Sequence, residues 1–198
     1  MTAQPLTTSI VVDTAADIAD ADGFDSVSLA RVARELGTSQ PALYRHVDGI
    51  DGLVRALGLR GRTILAERLL QAAVGRSADD AVRAMGLAWR GVVQDHPGVY
   101  AATDRYPCAG DAELEAAVER VVGVLGEALV GFGLDEADRV HAGRALRSAF
   151  HGFSHLESGD GHPLDVDVDE SFDQLIGLLC AGIRSLASAD ATTADQSG

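Results

Sequence analysis

The 198-residue chain predicts an all-α protein, and three observations carry that prediction. Apolar residues recur at helical spacing almost throughout, no segment shows the apolar–polar alternation of a half-buried strand, and no two-residue hairpin turn is present. A content of 46% hydrophobic and 23% charged residues is that of a folded globular chain and excludes a disordered one. No apolar run approaches the ~20 residues that a membrane helix needs, so no membrane partner is expected.

Val11, Ala15, Ile18 and Ala19 line one face of a first helix whose opposite face carries Asp13, Asp17 and Asp20, and Gly23 stops it. Phe24 begins a short connection. Leu29, Val32, Ala33 and Leu36 then follow the i, i+3, i+4, i+7 pattern of a two-turn helix, with Ser28 as N-cap and Gly37 as the left-handed residue at its end. Thr38 or Ser39 caps the next helix, Pro41 sits in its first turn where a missing N–H is harmless, and Leu43 with Val47 forms its buried edge. From Ile50, the apolar positions Leu53, Val54, Leu57, Ile64, Leu65 and Leu69 mark a longer helix. Further helices are expected over about 78–95, 111–132, 135–156 and 169–186. His96-Pro97-Gly98 and Tyr106-Pro107 interrupt the pattern, residues 158–167 form an exposed loop rich in Gly, Asp and Pro, and 188–198 form a disordered tail. Gly86, Gly91, Gly123, Gly126, Gly143, Gly152, Gly177 and Gly182 fall inside helical registers. Each costs ~1 kcal/mol relative to alanine, which close helix packing would offset.

A net charge of −14 argues against nucleic acid as a partner, because phosphate contacts supply much of the affinity for DNA. The distribution of charge argues the other way. Residues 1–27 carry five acids and no arginine, residues 28–62 six arginines against three acids, and the remainder ten arginines against twenty-two acids; lysine is absent. An acidic chain with one short basic window suits a protein that touches DNA through a single element. Cys108 and Cys180 resemble neither a disulfide framework nor a metal knuckle. Residues 1–9 show neither the basic nor the apolar region of an export signal, so a cytoplasmic protein is expected.

The segment 29–47 has the form helix, three-residue turn, helix. A helix-turn-helix lays its second helix in the major groove, which requires a buried edge, an outward polar face and a fixed start. With Leu43 and Val47 turned inward, Gln40 and Tyr44 form one outward i, i+4 pair and Pro41 and Arg45 another. The plainer alternative is two amphipathic helices of a bundle, with Arg31, Arg34 and Arg45 on a solvated face.

Leu36-Gly37-Thr38-Ser39-Gln40-Pro41-Ala42-Leu43-Tyr44-Arg45-His46-Val47 resembles the DNA-binding signature of tetracycline-repressor-like (TetR) regulators, and the elements over about residues 8–70 follow that family's N-terminal order. The resemblance implies a three-helix helix-turn-helix domain over residues 1–50 and a helical ligand-binding and dimerisation domain over 51–187. It implies a DNA-binding set of Ser28, Thr38, Ser39, Gln40, Pro41, Ala42, Tyr44, Arg45 and His46. Tyr44 would contact the phosphate backbone, Gln40 adenine, Arg45 guanine, and Pro41 and Ala42 thymine methyl groups. The partners implied are a palindromic double-stranded operator, a second copy of the chain that places two recognition helices ~34 to 36 Å apart, and a small-molecule effector that prefers the conformer with the wrong spacing. No cofactor is expected. The chain departs from relatives at Ile50, where lysine is common, and Asp48 and Asp51 weaken anion binding by the amides of that helix start.

Leu146, Ala149, Phe150 and Phe153 repeat the i, i+3, i+4, i+7 pattern, as do Phe172, Leu175, Ile176 and Leu179. In a family that dimerises through its last helices, these imply a four-helix bundle across a two-fold axis, with Leu146, Phe150, Phe153, Phe172, Leu175, Ile176 and Leu179 at the interface. Phe150-His151-Gly152 resembles the Trp-His-Gly signature of one C-terminal subtype, with Phe in place of Trp. Trp89, His96, Tyr100, Tyr106, Phe132 and Phe150 are candidates for lining a ligand pocket, although aromatic residues on amphipathic helices also serve as ordinary core. His151 and His155 could share a metal with His162 or an acid; one interface and one surface histidine is the plainer reading, and no metal site is expected. The competing function is an enzyme that uses His151 and His155 in a helical-bundle pocket, but no nucleophile–base pair, phosphate-cradling loop or zinc motif supports it. A helical adaptor without DNA binding is a third reading.

Overall fold

The computed structural model describes residues 5–195, and among them nine α-helices and no strand. Helix α1 (Thr8–Asp22) starts where the Thr7 hydroxyl accepts from the Ile10 N–H, and it buries Val11, Ala15, Ala16, Ile18 and Ala19. Helix α2 (Leu29–Glu35) is capped by Ser28, whose hydroxyl accepts from the Arg31 N–H at 3.2 Å. It ends at Gly37, with φ +61°, where the Thr38 N–H reaches the Ala33 carbonyl and the Gly37 N–H the Arg34 carbonyl. Those two bonds are the paired closure of a Schellman end, which needs a left-handed residue at Gly37.

Helix α3 (Gln40–Leu43) is shorter than the expected span to Val47. The His46 and Val47 N–H groups both bond the Leu43 carbonyl, at 2.8 and 3.0 Å, so the backbone tightens into a turn after one helical turn. Leu43 and Val47 are nevertheless both buried, as the spacing requires. Helix α4 (Gly49–Ala73) buries Leu53, Leu57, Leu65 and Leu69, while Ile50 stays 42% exposed at its start.

Helices α5 (Ala78–Asp95), α7 (Ala112–Leu129), α8 (Glu136–Ser158) and α9 (Val168–Asp195) follow the expected order. Helix α6 (Pro97–Ala101) stands where the sequence reads only as a break, because Pro97 takes the first helical position instead of ending a helix. Helix α9 continues to Asp195, correcting the expectation of a disordered tail from residue 188 as far as that residue. The stretch is alanine-rich and lacks Gly and Pro, so the helix has nothing to stop it. The expected tail's last residues, 196–198, lie outside the described residues.

Packing divides the chain into two units: one takes the chain up to Ile64 with Asp95–Val118, the other Leu65–Gln94 with the chain from Glu119. The core of the first joins Val11, Ile18, Val32, Leu43, Leu53 and Leu57 to Val99 and Ala102, so the α6 segment belongs to the same core as the helix-turn-helix. Gly98 lies so close to α1 that an added Cβ would stand 1.9 Å from the Ala19 carbonyl oxygen. Asp20 completes the contact: one carboxylate oxygen accepts from the Val99 N–H at 2.8 Å and the other lies 2.9 Å from His96 Nδ1. A side chain of α1 thus caps α6, whose own N-cap residue, His96, makes no capping bond.

In the second unit Phe150 packs between Trp89 and Phe172, at centroid separations of 6.2 and 6.1 Å. Arg90, only 10% exposed, forms two bonds to Glu157 at 2.7 and 2.5 Å and a third contact to Asp169 at 2.7 Å, with its guanidinium over the Phe172 ring. One buried cation therefore ties α5 to α8 and α9, with its charge paired as burial demands.

Arg55 of α4 pairs with Asp111 at 2.5 and 2.8 Å and with Glu113 at 2.8 Å. The Arg55 guanidinium holds the Asp111 carboxyl at about 2, below its ordinary 3.8. A carboxyl depressed in the folded chain stabilises it above the unfolded value and loses that effect as the pH falls through the folded one. The stability difference between the wild type and Asp111→Asn, read by urea unfolding, should therefore be full above about pH 4 and shrink toward about pH 2. A difference independent of pH would remove Arg55–Asp111 as an acid-sensitive contact.

Candidate nucleic-acid interface

Helices α2 and α3 bring the expected reading residues to one exposed surface. Gln40, Pro41, Tyr44 and Arg45 are exposed, Tyr44 at 60%, and Ser39 is exposed beside them. Thr38, Ala42 and His46 are half-buried, and the His46 carbonyl accepts from the Thr8 hydroxyl of α1. Ser28 is exposed, with its hydroxyl occupied in capping α2. Leu43, 0% exposed, is the anchor that turns Gln40, Tyr44 and Arg45 outward.

The structure reassigns most of the basic window. Arg31 is paired with Asp22, Arg60 with Asp13, and Arg55 with Asp111 and Glu113. Arg62, 8% exposed, donates to the Gly58 and Thr103 carbonyls and to the Cys108 sulfur. Of the six arginines, Arg45 is exposed with no acid within 4.0 Å among the described residues, and Arg34, 72% exposed, has Glu35 at 3.9 Å. The charge window was legible in the sequence, whereas its partners, up to 58 residues away, were not.

Residues 11–57, which hold α1 to the first turns of α4, match the family described as bacterial regulatory proteins of the tetR family, and residues 82–179 match its tetracyclin repressor-like C-terminal domain. A regulator of Mycobacterium tuberculosis, the uncharacterized HTH-type transcriptional regulator Rv0681, is 35% identical over 175 residues, which are 88% of this chain and 80% of that protein. The chain belongs to the TetR family. It is a helix-turn-helix transcriptional regulator. Among solved TetR structures, that of SCO7222 from Streptomyces coelicolor shares the fold at a TM-score of 0.72 and 21% identity, over 92% of this chain and 100% of that one. ActR from the same organism, in complex with actinorhodin, shares it at 0.68 and 20% identity, over 93% and 99%.

In this TetR chain the ligand candidates are divided between the two units. His96, Tyr100 and Tyr106 belong to the first unit and Trp89, Phe132 and Phe150 to the second. Tyr100 is buried on α6, Trp89 and Phe150 are in ring contact inside the core, and His96 binds Asp20. A cavity of about 490 Å³ lies between α7 and α8, lined by Val122, Leu125, Val140, Arg139, Arg144 and Arg147 among others and by none of the six.

Part of the expected interface set is buried within the protomer itself. Leu146, Phe150, Phe172 and Ile176 are at most 2% exposed and hold the protomer itself together, so they cannot face a second copy. Phe153, Leu175 and Leu179 are half-buried, Phe153 with its ring 4.9 Å from Phe172 and 4.6 Å from His162. The helical spacing located the apolar faces correctly, but both the inner and the outer edge of such a face carry large residues. A Cβ at Gly152, Gly177 or Gly182 would meet nothing within 4 Å, so packing inside the protomer explains none of these glycines. Of the eight helical glycines only Gly86, against the Phe150 ring and Ile176, is in close packing. His151 and His155 stack at 5.8 Å.

Proposed function

We propose that this TetR chain is a cytoplasmic, ligand-responsive repressor that binds a palindromic operator as a homodimer. The observation that carries the reading is the exposed face of Gln40, Tyr44 and Arg45, held outward by Leu43 and left with its arginine unpaired in a chain where most other arginines near it have acids. Residues 1–50 do the reading, and 51–187 sense the ligand and dimerise. Gln40 and Arg45 present the donors that base edges accept, Pro41 and Ala42 offer apolar contacts, and Tyr44 reaches phosphate. An effector that binds one spacing of the two reading helices better than the other shifts the equilibrium between them and releases DNA. ActR carries actinorhodin in its complex, which supports a ligand-sensing role for this chain. The reading contains no catalytic step.

The second copy meets the outer faces of α8 and α9. Leu178, 72% exposed, stands there beside Gly177 and Gly182, and small residues let two helices approach closely.

Selection from a randomised duplex pool, read by fluorescence anisotropy, tests the proposal. A palindrome should be enriched, and Tyr44→Ala and Arg45→Ala should each weaken it about 10- to 100-fold. With only Arg34 and Arg45 exposed in the basic window of each protomer, a dimer neutralises few phosphates, so the slope of log K against log salt should be roughly −3 to −4. Enrichment of no sequence at low salt, or full binding by both variants, would overturn the assignment of the reading face.

A further inference from the structure

The cavity between α7 and α8 exists because three helical positions lack side chains. A Cβ at Gly123 or Gly126 would meet nothing within 4 Å, and one at Gly143 only Leu129 at 3.9 Å. Alanine would fit each position and favour the helix, so protomer packing does not account for glycine there. The space left is about 490 Å³, within the range of small-molecule sites.

Its walls have two chemistries. Leu125 is buried behind the glycines, and Val122 and Val140 are about half exposed at its edge, which gives an apolar trough. Arg139, Arg144 and Arg147 of α8 line the same space, and among the described residues no carboxylate lies within 4.0 Å of their nitrogens, although Glu127 and Glu136 are also in the lining. Elsewhere in this unit Arg83, Arg90 and Arg184 are each paired with an acid, while among the described residues Arg76 and Arg120 have none within 4.0 Å. Three unpaired arginines beside apolar walls, in a chain of net charge −14, form a cation cluster that the fold does not neutralise. Guanidinium groups bind carboxylate and phosphate through paired N–H donors, and they do so best where an apolar wall limits water.

We infer that this groove binds an elongated organic anion, with its apolar body along Val122, Leu125 and Val140 and its acidic head on Arg144 and Arg147. The inference rests on the ligand-responsive reading above and names the class of effector. It also accounts for glycine at positions 123, 126 and 143, where a side chain would occupy the ligand's volume.

Calorimetric titration of the full chain, without DNA, tests it with decanoate, decyl phosphate and decanol. Either anion should bind at least tenfold more tightly than decanol. Arg144→Gln combined with Arg147→Gln should weaken the anion at least tenfold, and Gly126→Leu, which fills open space, should abolish binding while leaving the melting temperature unchanged. Decanol binding as well as both anions, or anion binding unaltered in either variant, would overturn the inference. So would a groove closed by a second copy, seen as no binding together with a dimer weakened by the arginine substitutions in sedimentation. Operator selection is read separately: if it succeeds while the titrations fail, only this inference falls, and if it fails while the titrations succeed, only the regulator reading falls.

Discussion

Replacing Gly98 with alanine is expected to destabilise the chain by about 3 kcal/mol, the upper end for overpacking, and so to lower its melting temperature by roughly 6–12 °C. The reason is a backbone contact. The added Cβ would stand 1.9 Å from the Ala19 carbonyl oxygen and 2.1 Å from its carbon, and no rotamer change relieves a clash with main chain. Helix α6 would have to move away from α1, pulling Val99 from the first core and breaking the 2.8 Å bond from the Val99 N–H to Asp20. Gly91→Ala is the control, since its Cβ meets nothing within 4 Å and alanine favours a helix interior; it should leave stability unchanged or raise it by up to ~1 kcal/mol. Equal melting temperatures for the two variants would show that α6 is free to shift and that its contact with α1 stabilises nothing.

Gly98 also marks the limit of what was legible. His96-Pro97-Gly98 reads as an interruption of helical pattern, which is correct locally, because α5 ends at Asp95. That Pro97 begins a short helix and that Gly98 admits another backbone depend on α1, some 79 residues earlier, and no local pattern encodes such a partner. The same division holds in the reading unit. Ser28, Gly37, Leu43 and Val47 act through neighbours within a few residues, and their roles as cap, left-handed stop and buried edge could be read directly. Asp13 and Asp20, which register as a solvated helix face, instead hold Arg60 and His96. A charged residue on an amphipathic helix looks the same whether it meets water or a distant partner. In the second unit the arginines of the α7–α8 groove are not legible for the complementary reason: nothing in sequence shows that Arg139, Arg144 and Arg147 lack acids, since α8 and its approaches carry Glu136, Asp138 and Glu157.

Phe150 decides between three views of the second unit, because its spacing makes it equally a pocket wall, an interface residue and a core residue. Its ring is 0% exposed, flanked by Trp89 and Phe172, with its edge on Gly86, where an added Cβ would lie 2.9 Å away. Removing such a ring loses its burial and leaves a cavity that rigid helices close only in part, so Phe150→Ala should cost about 3–5 kcal/mol. For a chain of this length that is a fall of roughly 6–20 °C in melting temperature. Leu178→Ala, at a position 72% exposed in the protomer, should behave oppositely: it should weaken dimer association while barely changing the protomer's own stability. Thermal melts at several concentrations separate the two, since loss of a dimer contact lets the protomers dissociate and makes melting depend less on concentration, whereas loss of core lowers it at every concentration. If Phe150→Ala kept its melting temperature and lost ligand or dimer instead, the ring would belong to a site after all, and the packing of Trp89, Phe150 and Phe172 would have to open in solution to expose it.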